Sequence, residues 1–387
     1  MEHGLPFAAP AIAPIASIFK ARAEDFEVDE LPAYLPNGAG EHLYVHFEKR
    51  GLDTEQAVRS IAQALGSPIR DAGWAGLKDK HAVTRQWASF LHREPKDASQ
   101  PSTESSLATL AEMQPGIRVL EVSRHNNKLR TGHLRGNRFV LRLRGVEASR
   151  VADLEQTMRW LCAHGAPQFY GVQRFGRGGD NIARAKAWIV DGGKAPFKPF
   201  ERKLLVSALQ SAVFNALLAG RVERDELSRI LDGDLVRKED SGGLFIADDV
   251  AEVQARADRL EVSATGPMLG AEMKWPEREA KAREEEAMRA FGLDQEKLER
   301  VKQAGAGTRR AYRVLLQEGD VATEPADESV PSGSEAVVRI SFTLPAGAYA
   351  TEILRELTRG GAHEPERARS SEARPAEVSA ESTPEDA

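Results

Sequence analysis

Strand-like ends around a helix-rich middle predict an α+β fold in two domains. Three observations carry this. The 387 residues exceed what one core usually holds, since single cores rarely grow past about 250 to 300 residues. Period-two alternation of apolar residues marks strands near 26–50, 136–145 and 337–344. Between 165 and 315 the texture changes to long helical patterns such as KLLVSALQSAVFNALLAG and EREAKAREEEAMRAF. The expected division is therefore 1–164 with 316–360 as one strand-rich domain, 165–315 as an insertion, and 361–387 as a disordered tail.

The elements follow in order. In FEVDE, Phe26, Val28 and Glu30 share one face, and this strand is the expected partner of EHLYVHFEKR, where Leu43, Val45 and Phe47 alternate with Tyr44 and His46. A helix follows, capped by Asp53 or Thr54, with Val58, Ile61 and Leu65 as its apolar stripe and Gly66 as its stop. GNRFVLRLRG reads as a strand with Phe139, Leu141 and Leu143 inward and Arg138, Arg142 and Arg144 outward. VVRISFTL alternates in the same way before Pro345-Ala346-Gly347 turns it into a short helix carrying Ile353, Leu354 and Leu357. By composition, 97–106 reads as a polar insertion and 318–335 as an acidic linker.

Composition narrows the class. A hydrophobic share of 41% with 29% charged residues is ordinary for a globular chain, and neither a membrane span nor a secretory leader is expected, because Pro10 and Pro14 break the apolar start. The single cysteine, Cys162, permits no internal disulfide, which fits a reducing cytoplasm. Net charge is −6, but the tail 361–387 supplies −4 of it. By contrast, HNNKLRTGHLRGNRFVLRLR at 125–144 holds six Lys or Arg and no acid. That stripe suits phosphates and reads equally as a solvated strand face.

Most motif readings fail on context. GRGGDN at 176–181 follows no strand with phosphate-loop spacing and precedes no Gly-Lys-Ser/Thr, so it reads as a turn. The nine histidines show no metal-ligand pair, one cysteine excludes a cysteine cluster, and no Gly-x-Ser-x-Gly occurs. No metal and no cofactor are expected. AGWAGLKDKHAVTRQW at 72–87 is different, because it fixes Asp79 between Lys78 and Lys80. Nearby positive charge keeps a carboxylate ionised, and an ionised carboxylate serves as nucleophile or base. Gly76 before it and Thr84, Arg85 and Gln86 after it offer a tight backbone and several hydrogen-bonding groups.

Six stretches resemble the TruD family of tRNA pseudouridine synthases, in family order: KARAEDFEVDE, GAGEHLYVHFEKRGLDT, AGLKDKHAVTRQW, KLRTGHLRGNRF, GAPQFYGVQRFGRGGDN and LPAGAYATEILREL. The resemblance implies a catalytic domain with a mixed, largely antiparallel sheet, interrupted by an inserted helix-rich α/β domain. It implies isomerisation of uridine 13 of transfer RNA, with Asp79 as the essential catalytic residue. It further implies that the base is held by Phe26, Asn137 and Tyr349, the last standing where the family has phenylalanine, with Lys20 near the pocket. Lys78, Lys80, Lys128, Arg130, Arg135 and Arg138 are the expected RNA contacts, transfer RNA the expected partner, and no obligatory protein partner is implied. Within the enzyme class a synthase acting on another uridine or another RNA stays open, and so do two other classes: an RNA-binding module that does not need Asp79, and a hydrolase, which needs a positioned water and usually a metal or a second acid.

Overall fold

The structure is a computed structural model that describes residues 4–92, 101–325 and 335–365. Its main sheet is built from β1 (Phe26–Pro32), β2 (His42–Arg50), β3 (Val83–Leu91), β4 (Ile117–His125), β5 (Leu134–Glu147), β10 (Gln317–Glu324) and β11 (Glu335–Pro345). The spatial order is β10-β11-β5-β1-β3-β2-β4, and along this path only β1 and β3 run parallel. The strand expected to pair with β2 therefore pairs with β3 and β5 instead. Alternation gives each strand its faces but not its neighbour.

Local chemistry explains the helices that cover this sheet. In α1 (Thr54–Ala64), Asp53 accepts from Gln56 N at 2.7 Å while Gln56 reaches back to Asp53 N, a reciprocal cap, and Gly66 closes the helix at φ +63°. Its Val58 and Ile61 are wholly buried against Val45, Phe47 and Phe90. Ser102 caps α2 (Thr103–Met113), so the described part of the polar insertion opens a helix, while 97–100 lie outside the described residues. α3 (Val151–His164) and α4 (Ala350–Thr358) seal the other core with Leu154, Leu161, Ile353 and Leu357.

The chain passes between this body and the helix-rich segment where Ala166–Pro167 pairs antiparallel with Arg313–Val314, and Trp160 of α3 packs against the cores of both. Inside it, β6 (Leu235–Lys238), β7 (Leu244–Ile246), β8 (Val262–Met268) and β9 (Thr308–Ala311) form an antiparallel sheet ordered β7-β6-β8-β9. The helix Pro199–Glu223 is long and apolar enough to cross a membrane, but it packs Leu209, Val213, Phe214 and Leu218 into the interior here.

Two compositional readings are corrected. The described start of the acidic linker, 318–324, belongs to the strand β10, and its acids pair with arginines of other strands: Glu324 meets Arg142 at 2.8 Å and Asp320 meets Arg339 at 2.9 Å. Residues 326–334 lie outside the described residues. The start of the expected tail is also built in, since Ala362–His363 pairs parallel with Ser17–Ile18. Residues 366–387 lie outside the described residues.

Candidate active site

One face of the central sheet gathers polar side chains that a globular protein rarely buries. Register puts them there: Glu30 faces Asn137, Val28 faces both Phe139 and Thr84, Thr84 faces Lys49, and Gln86 faces Phe47. Directly paired residues point to the same side, so Glu30, Lys49, Thr84, Gln86 and Asn137 share one surface. The segment from Ala75 to Ala82 is fastened onto it. Lys78 Nζ donates to Glu30 Oε2 at 2.5 Å, with side chains only 5% and 1% exposed. Lys78 N donates to Thr54 Oγ1 at 2.8 Å, and Thr54 Oγ1 donates onward to Gln86 Oε1. Gln86 Nε2 closes the loop at the Gly76 carbonyl. Lys49 Nζ donates to the carbonyls of Asp79 at 2.7 Å and Leu52 at 2.8 Å, and burial pulls its pKa down to about 8.

These ties present Asp79 with its carboxylate partly open. Oδ1 accepts from His81 N at 2.8 Å, and Oδ2 accepts from Lys20 Nζ. Burial pushes the Asp79 carboxyl upward, but the Lys20 ammonium and the His81 N–H outweigh it and hold the group below its ordinary range. Burial likewise pulls Lys20 downward, and Asp79 and Glu364 more than restore it, leaving its pKa raised. The expected source of charge is thereby corrected. Neighbouring loop residues point apart, so Lys78 goes inward to Glu30 and Lys80 outward, while the cation that pairs with Asp79 comes from Lys20. Lys20 sits at φ +57°, a conformation uncommon for a side chain of its size, and Glu364 lies 3.2 Å from its Nζ.

Phe26 is buried, edge-on to Phe139 at 6.2 Å, and Lys20 Nζ stands 4.6 Å from its ring centroid. Asn137 Oδ1 is buried with no hydrogen-bond partner among the described residues, and so is Thr84 Oγ1. Gly136 beside it passes so close to the Leu344 carbonyl that a Cβ would collide with it, which fixes the strand crossing next to Asn137. Tyr349 takes the N-cap position of α4, with no side-chain cap bond, just beyond Pro345, the register partner of Gly136, and is about half exposed at 48%. Lys20, Phe26, Asp79 and Asn137 are therefore brought onto one face, with Tyr349 at its end.

The expected RNA contacts divide. Arg130, Arg135, Arg138 and Lys80 are exposed, and Lys128 is half-buried with its Nζ on the Arg70 carbonyl at 2.9 Å. Lys78 is buried in its ion pair with Glu30, so it anchors the loop and has no free ammonium to offer RNA. The stripe is also shorter than its sequence: Arg142 pairs with Glu27 and Glu324, and Arg144 forks onto Asp25. Arg85 likewise turns to the opposite face, to Asp29 and Glu48. Sequence reading missed Glu30, Lys49, Thr54 and Glu364. For the first two a signal existed, since Glu30 shares parity with Val28 and Lys49 with Phe47.

The profile described as tRNA pseudouridine synthase D (TruD) matches residues 8–192 and 197–357. The chain belongs to the TruD family. Among curated TruD relatives, tRNA pseudouridine synthase D of Anaeromyxobacter dehalogenans (strain 2CP-C) is 44% identical over 368 residues, spanning 94% of this chain and 99% of that protein. A Thermus thermophilus protein of the same name is 39% identical over 352 residues, 91% of each chain. The crystal structure of the Methanosarcina mazei TruD protein shares the fold with a TM-score of 0.72 at 20% identity, covering 92% of this chain and 96% of that one. The mixed sheet with its inserted helix-rich unit is thus the TruD fold.

Proposed function

We propose that the protein isomerises uridine 13 of transfer RNA to pseudouridine, with Asp79 as the catalytic residue. The observation that carries this is a single ionised, partly open carboxylate, fixed by Lys20 and His81, on a sheet face that also holds an unsatisfied buried amide oxygen at Asn137. The reaction breaks the bond between ribose C1′ and uracil N1, turns the base, and forms a bond from C1′ to C5. A proton leaves C5 and N1 gains one, so no oxidant or energy source enters. An anionic Asp79 acts as nucleophile or base in this sequence, and either role needs the ionised form that Lys20 maintains.

The base has to leave its stack at a cost of a few kcal/mol. Asn137 offers the detached uracil an amide that matches its imide edge, with Oδ1 accepting from N3–H. Phe26 and Tyr349 supply aromatic surface. Phosphate contacts by exposed Lys80, Arg130, Arg135 and Arg138 offset the extrusion, with Lys128 joining them if it releases the Arg70 carbonyl. Residues 1–164 and 316–360 form the catalytic half in this reading, and 165–315 the inserted domain, with RNA between them. A bare binding module leaves the fixed carboxylate unexplained.

The test is to incubate purified protein with unmodified transfer RNA, without added cofactor, and map pseudouridine by position. Product at position 13 is expected. Product only elsewhere overturns the position, and no product overturns the activity.

A further inference from the structure

The stretch GAPQFYGVQRFGRGGDN plays no part in the site above, yet its Tyr170 is held with care. Tyr170 N donates to Asn215 Oδ1 and Asn215 Nδ2 donates back to Tyr170 O, both at 2.9 Å, and its ring meets Phe214 edge-on at 5.7 Å. Two guanidiniums crowd the same ring. Arg310 of β9 lies 4.5 Å from its centroid, and Arg174 of the short turn Val172–Phe175 lies 5.3 Å away.

Arg310 lacks what its neighbours have. Arg309 forks onto Glu284, Arg221 pairs with Asp234, and Arg313 donates to Ser263 and several carbonyls. Arg310 Nε and Nη2 are buried with no hydrogen-bond partner among the described residues, resting instead on the faces of Tyr170 and Phe214. Among the described residues neither Arg310 nor Arg174 has a carboxylate partner, and the one polar contact of Arg174 is Ser211 Oγ at 3.3 Å. A guanidinium cannot shed its charge, so the buried unsatisfied donors of Arg310, beside an exposed Arg174 that has no carboxylate partner among the described residues, stand ready for an anion.

The cluster also looks toward the catalytic half. Burial raises the Tyr170 pKa, Arg310 and Arg174 pull it back, and the Tyr349 hydroxyl pushes it up again. Geometry gives the same direction, since the ring of Phe169, next to Tyr170, lies 5.7 Å from the guanidinium of Arg355, which sits on the helix that Tyr349 opens.

We propose that Arg310, Arg174 and the Tyr170 hydroxyl form a binding site for an RNA backbone phosphate adjoining the extruded nucleotide, an inference that rests on the RNA-modifying function above. Two planar forks match the oxygens of a phosphodiester, and the phenol, which donates to Met268 Sδ at 3.5 Å, adds a donor by leaving that weak sulfur acceptor. On binding, Arg310 turns off the rings and exchanges cation–π contact for charge-assisted hydrogen bonds.

The test uses two transfer RNAs, one all-phosphate and one with uncharged methylphosphonates at the linkages flanking the target uridine. Binding of both by wild type, Arg310→Met and Arg174→Met is measured across salt concentrations, with pseudouridine formation by wild type alongside. Wild type should lose roughly tenfold in affinity on the uncharged linkages. Arg310→Met should bind both RNAs alike, with a salt slope smaller by about one, and Arg174→Met should show a reduced difference. Should Arg310→Met fail to fold, Arg310→Lys, which keeps charge but not the fork, is expected to retain part of the discrimination. Discrimination and salt slope unchanged in the variants overturn the site. So does a wild type that ignores the uncharged linkages but is stabilised by inorganic phosphate where Arg310→Met is not. Wild type that makes no pseudouridine defeats the functional reading instead, and is told apart by that readout.

Discussion

Glu364 Oε1 lies 3.2 Å from Lys20 Nζ, so the ammonium that holds Asp79 carries a second carboxylate from the far end of the described chain. The short strand Ala362–His363 brings Glu364 there by pairing with Ser17–Ile18, two residues before Lys20. Two distant segments thus close on one nitrogen beside Asp79.

This arrangement sets where the chain can be cut. Removing 366–387 should leave activity and melting temperature close to those of the full chain, since the anchor ends at Glu364 and the removed stretch has little apolar content. Removing 361–387 deletes the strand pairing and the ion pair together. Activity should fall and Tm should drop by roughly 2 to 4 °C for each kcal/mol lost. Equal Tm and turnover for the two truncations would show that the Lys20 clamp contributes nothing.

Lys20→Met should move the acid limb of the kcat/KM profile to higher pH. The folded pKa of Asp79 is depressed, so the stability from its ionisation is present above the unfolded carboxylate value and lost as pH falls through the folded one. For Lys20 the folded pKa is raised above 10.5, so its share is full below that value and lost as pH rises through the folded pKa. Without the ammonium, Asp79 stays protonated to higher pH. A pH–rate profile whose acid limb does not move in Lys20→Met refutes this electrostatic role.

Glu30→Gln and Lys78→Met each strand a buried charge beneath the Asp79 segment. Each should cost roughly 3 to 5 kcal/mol and lower activity by displacing the loop. The double variant should recover much of the stability, because no unpaired charge remains, but less of the activity. Denaturant unfolding of all four proteins gives the coupling directly, and additive losses would mean that the pair is not an interacting unit.

Much of this was legible in the sequence, within limits set by locality. The cap of α1 and the alternation of β5 are local patterns, and the structure places them as read, whereas the Asp79 motif was read with Lys78 and Lys80 as its cations and takes Lys20 instead. What was not legible depends on register between distant strands. Glu30 and Lys49 occupy inward positions of their strands, yet nothing local tells that they receive Lys78 and the Asp79 carbonyl. Acids of β10 looked like a linker because their arginine partners lie on β5 and β11. The basic stripe looked continuous because Asp25, Glu27 and Glu324, which neutralise Arg142 and Arg144, come from other segments.

Asp79→Asn keeps the size of the side chain and removes the anion that either chemical role requires. Lys20 retains Glu364 as a partner, so the fold should persist with only a modest loss of stability. Pseudouridine formation should disappear while RNA affinity stays within about tenfold, roughly 1.4 kcal/mol. Phe26→Ala differs in kind, because it removes both the ring under the Lys20 ammonium and a packing partner of Phe139, so binding and turnover should weaken together and stability should fall by about 3 to 5 kcal/mol. An RNA-binding module would show the reverse ranking, with Asp79→Asn nearly silent in every assay. Substantial product from well-folded Asp79→Asn protein would remove the aspartate from the chemistry and leave the clamp around it without a catalytic reason.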